Sequence, residues 1–346
     1  MKNALLLTIV LSLGFLAGCG HQPVVVTGGM PGDGRYDLIE PMGGNAGRIH
    51  DLLESVRMIN ATAYYERYNF APEERVTVDS VNHQFLSRNK KRSEIYTDNA
   101  VGTATIIYKD NDHVAALTCA HVVEFEDTTY IYYADINGEI SNFLYQVAIK
   151  RRQELGIADI KYGDNMQILA VDSDLDVAII GKKLPPGDYR PIPTFNFPFG
   201  RAEELDWGSK VILVGFPAGK KMITSGMVSP NSRDRGRDFL VDALFNRGFS
   251  GGIVMAIRDG IPNFELVGIV SAVAADEEAV LIPDPSYVSD RPAHGQPYIG
   301  RPIISPRKVV KYGVTYGIGI EAIREFIAAN REAIEGYGLK SSLLLQ

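Results

Sequence analysis

A histidine, a cluster of aspartates and a serine between glycines occur in that order along the 346 residues. The first lies in Leu117-Thr118-Cys119-Ala120-His121-Val122-Val123, the second in Ser173-Asp174-Leu175-Asp176-Val177-Ala178-Ile179, and the third in Asn246-Arg247-Gly248-Phe249-Ser250-Gly251-Gly252. Together these residue types suit nucleophilic catalysis. A serine hydroxyl is a weak nucleophile and needs a neighbouring base to take its proton. An imidazole titrates near neutrality, so it can accept that proton and later return it to a leaving group. A carboxylate behind the imidazole fixes its tautomer and stabilises the imidazolium. Glycines beside the serine reach backbone angles closed to other residues, so that two N–H groups can converge on one oxyanion. His121, Ser250 and the N–H groups of Gly248 and Ser250 are the candidates for these roles. Among the aspartates, strand alternation puts 172, 174 and 176 on one face, and spacing does not choose between them.

Two other chemistries are poorer fits. The aspartate run has Val177 where a calcium loop needs its sixth-position glycine. Gly248-Phe249-Ser250-Gly251-Gly252 also satisfies Gly-x-Ser-x-Gly, but that nucleophile elbow is followed by a helix and by a downstream histidine. Here the next residues, Ile253-Val254-Met255-Ala256-Ile257, read as a strand, and the only later histidine is His294 in a Pro-rich stretch.

The elements that must position these residues are mostly short β-branched runs between turn residues. Strands are expected at Arg57–Tyr65, Arg75–Val78, Thr103–Tyr108, Val114–Leu117, Tyr130–Tyr133, Met166–Val171, Val177–Ile180, Lys210–Val214, Gly252–Ile257 and Leu266–Val270. This pattern argues an antiparallel all-β fold. One amphipathic helix is expected over residues 320–334, with Ile320, Ile323, Ile327 and Ile334 on one face. Residues 283–306 hold six prolines and read as an irregular loop.

Composition is that of a globular chain, 45% hydrophobic and 22% charged. The formal net charge of −7 gives no basic field for nucleic acid, and Lys90-Lys91-Arg92 and Lys150-Arg151-Arg152 read as exposed loop or hairpin charges. The N-terminus carries a different signal. A weakly basic start precedes an apolar stretch at residues 4–17, too short to span a bilayer, which has the layout of a secretory signal peptide. It ends Leu16-Ala17-Gly18-Cys19, which resembles the lipobox of bacterial lipoproteins. That resemblance implies cleavage before Cys19, acylation of its thiol, and a place in the bacterial cell envelope. Gly20 and His21, rather than Asp, follow Cys19 and favour the outer membrane over the inner. Residues 19–48, rich in Gly and Pro, read as a flexible tether. With Cys119 the only other cysteine, no intramolecular disulfide is expected.

The three catalytic segments resemble the trypsin-like peptidase superfamily, and most closely its bacterial HtrA-type branch. There an apolar strand ends Thr-x-Ala-His-Val, a short strand begins Asp-Leu-Ala-Val, and the nucleophile sits in Gly-Asn-Ser-Gly-Gly. Val214-Gly215-Phe216-Pro217-Ala218-Gly219, Thr224-Ser225-Gly226-Met227-Val228-Ser229 and Asp242-Ala243 match further family segments, so the resemblance covers about 55–330. It implies two six-stranded antiparallel β-barrels with a C-terminal helix: a peptidase domain over 49–335, with barrel one about 50–180, barrel two about 205–310, the helix about 320–335 and a tail at 336–346. It implies a serine endopeptidase acting on polypeptides without metal or cofactor, with the triad His121, Asp176 and Ser250. The Val177-Ala178 continuation matches the family at Asp176 rather than Asp174.

The same alignment puts Leu244 at the base of the primary substrate pocket, where an apolar floor suits an uncharged residue. Val270, Ser271 and Ala272 are expected to line the pocket and pair with substrate backbone. Phe249 stands where the family has Asp or Asn and is expected to pack beneath the loop; Arg247 replaces the usual Pro or Gln. No PDZ segment is expected after residue 346. Residues 127–165 and 275–308 are long for such a domain and are candidates to shield the cleft or bind partners. The alternative reading, from another class, is a catalytically degenerate lipoprotein serving as a surface binding or scaffold protein.

Overall fold

The computed structural model describes residues 46–135, 139–187, 191–234, 237–244, 246–260, 263–283, 298–300 and 302–344. Cys19 and the tether up to residue 45 lie outside the described residues, while residues 46–48 already belong to helix α1, Ala46–Ser55, which is followed in chain order by the short helix α2, His83–Asn89. No helix among the described residues is long and apolar enough to cross a membrane.

Seven strands form the first sheet: β1 (Val56–Asn69), β2 (Glu94–Lys109), β3 (His113–Thr118), β4 (Thr128–Ala134), β5 (Ile140–Ile157), β6 (Gln167–Asp172) and β7 (Val177–Lys183). Their spatial order is β4-β5-β1-β2-β3-β7-β6, all neighbours antiparallel. The second sheet closes on itself as a six-stranded barrel. Its members are β8 (Lys210–Gly215), β9 (Met222–Asp234), β10 (Arg237–Val241), β11 (Ile253–Ile257), β12 (Phe264–Pro283) and β13 (Pro302–Gly319). The expected all-β architecture of two antiparallel sheets is therefore present, with one difference in detail. The first sheet has seven strands and is open, where a closed six-stranded barrel was expected.

The difference has a local origin. The expected strand at Arg75–Val78 is instead a pair of 3-10 turns, Pro72–Glu74 and Val78–Ser80, and Arg75 between them takes a left-handed φ of 48°. The stretch 127–165, long for the family, supplies β5, which pairs with both β1 and β4. Its basic run is absorbed by acidic partners: Lys150 with Asp127 and Arg151 with Glu66 on neighbouring segments, and Arg152 with Glu154 on the same strand.

Strands next to the candidate site are buried on both faces. Val114–Thr118 of β3 and Val177–Ile180 of β7 are all buried, which explains why they read as continuous apolar runs rather than alternating ones. One core unites Leu117, Val122 and Ile180 of the first sheet with Val214, Ile253 and Ile269 of the barrel. A second core fills the closed barrel around Val211, Phe239, Val254 and Val267.

The C-terminal helix is interrupted. It runs as α4 (Ile320–Ala329) and α5 (Arg331–Tyr337), and Asn330 between them bonds the carbonyl of Phe326 through its side chain. The apolar face was read correctly, since Ile320, Ile323, Ile327 and Ile334 are all buried. Residues beyond 335 are part of the body rather than a free tail: Leu339 and Leu344 are 2% and 1% exposed and join the large core. The Pro-rich loop is shorter than 283–306, because β12 extends to Pro283 and β13 starts at Pro302. Past Ala275 these two strands pair only with each other, and a free edge tolerates proline because no N–H is needed there.

Candidate active site

His121 sits in a single turn of helix, α3 (Ala120–Val123), directly after β3. Val122 and Val123 are buried on either side of the chain path, which leaves the imidazole facing outward with half of its side chain exposed. Asp176 occupies the turn between β6 and β7 and holds a left-handed φ of 64°. Such an angle is uncommon for a non-glycine residue, and Asp is among the types that tolerate it. Ser250 ends the loop that leads into β11 and is 7% exposed.

The three side chains form one hydrogen-bonded line. His121 Nδ1 lies 2.9 Å from each carboxylate oxygen of Asp176, and His121 Nε2 lies 2.9 Å from Ser250 Oγ. An ionised carboxylate only accepts, so Nδ1 carries the proton and Nε2 is left to accept from the serine hydroxyl. Asp176 also accepts from the His121 backbone N–H at 3.0 Å and from the Ser271 hydroxyl at 2.6 Å. Burial pushes the Asp176 carboxyl up; the bonds and charge from His121 and the bond from Ser271 outweigh it, so its pKa lies below the ordinary value. Asp174, the sequence rival, is exposed, and its backbone N–H instead bonds Asp172.

The loop before Ser250 has every peptide plane fixed. Arg247 C=O accepts from Ala218 N–H at 2.9 Å, and Gly248 C=O accepts from the Thr103 hydroxyl at 2.7 Å. Phe249 C=O accepts from Gly252 N–H at 2.7 Å, and Ser250 C=O accepts from Thr103 N–H at 2.8 Å. In a trans peptide the N–H points opposite to the preceding carbonyl. The N–H groups of Gly248 and Ser250 are thereby turned away from the loop's anchors, and neither meets a protein acceptor among the described residues. Gly248 needs to be glycine on two counts: its φ is 105°, and a Cβ there would stand 2.2 Å from Phe216 O. Phe249 packs beneath the loop as expected, 2% exposed in the barrel core and against Gly215. The exposed Arg247 side chain is outside that core.

The expected pocket residues are distributed differently. The Val270 side chain is fully buried in the barrel core, and its backbone bonds Gly251 and Gly252 of the serine loop. The Ser271 hydroxyl is engaged by Asp176 rather than offered to a substrate. Ala272 is half-buried, while Leu244 is 66% exposed, on open surface instead of at an enclosed floor. Sequence reasoning missed Thr103 and Ala218; a threonine in a strand and an alanine in a turn carry no chemical signature. Cys119, His121 and Asp176 also bring three metal-ligating atoms within 4.8 Å of one another. The buried Cys119 thiol, however, donates to Val270 C=O at 3.2 Å, and the other two groups are bonded to each other.

Residues 102–269 match the family model of the trypsin-like peptidase domain. No curated protein matches the chain. Among solved structures, the HtrA-type protease AlgW with a tripeptide is similar at 15% identity and a TM-score of 0.41, over 85% of this chain and 65% of that one. A serine endoprotease from Yersinia pestis is similar at 14% identity and a TM-score of 0.38, over 83% and 66%. A human pathogenic astrovirus serine protease follows at 13% identity and 0.29, over 64% and 85%. The chain thus spans 65% of the length of the AlgW protease. Residues 102–269, the stretch similar to the trypsin-like peptidase domain, hold His121, Asp176 and Ser250.

Proposed function

We propose that the protein is a serine endopeptidase that cleaves polypeptides through an acyl-enzyme, with Ser250 as nucleophile, His121 as base and acid, and Asp176 as the partner of the imidazole. One observation carries this reading: Ser250 Oγ lies 2.9 Å from a histidine nitrogen whose ring is held from behind by a carboxylate at 2.9 Å. In the first half-reaction Ser250 Oγ attacks the scissile carbonyl as its proton passes to His121 Nε2. The carbonyl oxygen becomes an oxyanion, which the N–H groups of Gly248 and Ser250 stabilise; one such donor contributes about 3–4 kcal/mol. His121 then protonates the leaving amine, and water attacks the acyl group by the same route in reverse. This chemistry needs neither metal nor organic cofactor.

Under this reading the enzyme works in the bacterial cell envelope, held to a membrane by lipid on Cys19. The support is the apolar stretch 4–17 and the Leu16-Ala17-Gly18-Cys19 that ends it. The Cys19→Ser variant is expected to leave the membrane fraction on cell fractionation, and unchanged membrane retention would defeat the anchor.

Labelling by a fluorophosphonate probe tests the catalytic reading. Wild type is expected to label, and Ser250→Ala and His121→Ala to fall by a factor of about 10⁴ or more. A folded wild-type protein that stays unlabelled would overturn the enzyme and favour the binding lipoprotein.

A further inference from the structure

Thr103 lies in β2, in the other sheet from the serine loop, and 145 residues from Gly248 in sequence. It is completely buried. All four of its polar functions have partners. Its N–H donates to Ser250 C=O at 2.8 Å and its hydroxyl donates to Gly248 C=O at 2.7 Å. The same hydroxyl oxygen accepts from Phe216 N–H at 2.9 Å, and the Thr103 carbonyl accepts from the Thr118 hydroxyl at 2.8 Å.

We infer that Thr103 is a positioning residue for the oxyanion hole: its hydroxyl sets the Gly248–Phe249 peptide plane and so aims the N–H groups of Gly248 and Ser250. The inference rests on the serine-peptidase reading for its catalytic consequence, and on the geometry alone for its structural one.

Two of the loop's four fixed carbonyls, Gly248 and Ser250, are held by this one residue. The backbone bond to Ser250 C=O survives any side-chain substitution. The bond to Gly248 C=O does not. Glycine at 248 places little steric limit on its own ψ, so without the hydroxyl only the 3.1 Å bond from Phe249 N–H to Asn246 C=O still holds the plane between 248 and 249. A carbonyl that loses its donor in a buried place turns toward any available partner, because leaving it unpaired is costly. That rotation changes the angle between the Arg247–Gly248 plane, which carries the Gly248 N–H, and the Phe249–Ser250 plane, which carries the Ser250 N–H. Phe216 N–H loses its acceptor in the same step, and Phe216 C=O is the atom a Cβ on Gly248 would strike. The hydroxyl thus joins the two segments, 216–219 and 247–250, that wall the hole.

Valine matches threonine in shape and lacks the hydroxyl, while serine keeps the hydroxyl and loses a methyl group. The decisive comparison is wild type, Thr103→Val, Thr103→Ser and, should valine compromise folding, Thr103→Ala. Each is assayed by its fluorophosphonate labelling rate and by kcat and KM on a peptide ester, and wild type and T103V also by crystal structure. Thr103→Val is expected to label about 100-fold more slowly, the scale of a displaced transition-state contact, through kcat with KM changed by less than about 3-fold. Thr103→Ser is expected to stay within about 3-fold of wild type, and the T103V crystal structure to show the Gly248 carbonyl turned from its wild-type direction. A purely structural role would lower melting temperature in valine and serine variants alike without separating them in kcat.

Folded T103V or T103A that labels at the wild-type rate, or a T103V structure with the Gly248 carbonyl unmoved, overturns the inference. Wild type that does not label overturns the peptidase reading instead, and the direction of the Gly248 carbonyl in the two crystal structures still decides the role of Thr103.

Discussion

The serine loop and the ribbon formed by the outer halves of β12 and β13 are built on opposite terms. Residues 247–250 form a single turn, yet each of their carbonyls meets a donor, and Thr103 and Ala218 come from distant parts of the chain. Phe249 anchors the turn in the barrel core at 2% exposure. The ribbon pairs Ala275–Pro283 with Pro302–Val310, and among the described residues no third strand joins it there. It leaves the barrel where the register shifts between Val273 and Ala275, opposite a left-handed Gly313. Its paired apolar residues Leu281 and Ile304 are 71% and 61% exposed. A buried backbone group must find a protein partner, whereas an exposed one is satisfied by water. Conformation in the loop is therefore over-determined, and in the ribbon it rests on one ladder. A two-stranded ladder alone is marginal in water.

The largest effect expected from breaking the loop's side of this contrast is chemical. Asp176→Asn keeps the shape but presents an amide to Nδ1, which favours the wrong histidine tautomer; fluorophosphonate labelling should fall by about 10⁴-fold. The same substitution has a second readout. A carboxyl whose folded pKa lies below its unfolded value stabilises the fold above the unfolded value and ceases to as pH falls through the folded one. Acid denaturation followed by circular dichroism should therefore be less steep below about pH 4 in Asp176→Asn than in wild type. Curves that superimpose would contradict the low carboxyl pKa.

The contrast also marks what the sequence could and could not disclose. His121, Asp176 and Ser250 were legible as candidates because each lies in a turn or loop beside a strand, in a short run whose chemistry is local. The strands β3 and β7 were legible because burial on both faces makes them uniformly apolar. β5 was not, since Lys150 and Arg151 look like loop charges until Asp127 and Glu66 are seen beside them. Thr103 was read as an ordinary strand residue, because its partners at 216, 248 and 250 are a matter of tertiary structure. The ribbon was read as a loop from its prolines, whose missing N–H groups cost nothing on a free edge. Along Val270, Ser271 and Ala272, likewise, sequence order does not say which side chain enters the core and which bonds Asp176.

A pair of truncations sharpens the comparison at lower energy. Phe249→Ala removes a ring from the barrel core and should destabilise by about 3–5 kcal/mol, the usual range for a large aromatic in a packed interior. It should also slow labelling, because the ring is the floor on which the Gly248 and Ser250 backbone rests. Leu281→Ala removes a side chain that is already 71% exposed. Little apolar area returns to water, so urea denaturation should shift by no more than about 0.5 kcal/mol, with labelling unchanged. A loss above about 1 kcal/mol at Leu281 would mean that the ribbon is buried in solution against something other than its own partner strand. The same shift growing with protein concentration would identify that cover as a second copy of the chain.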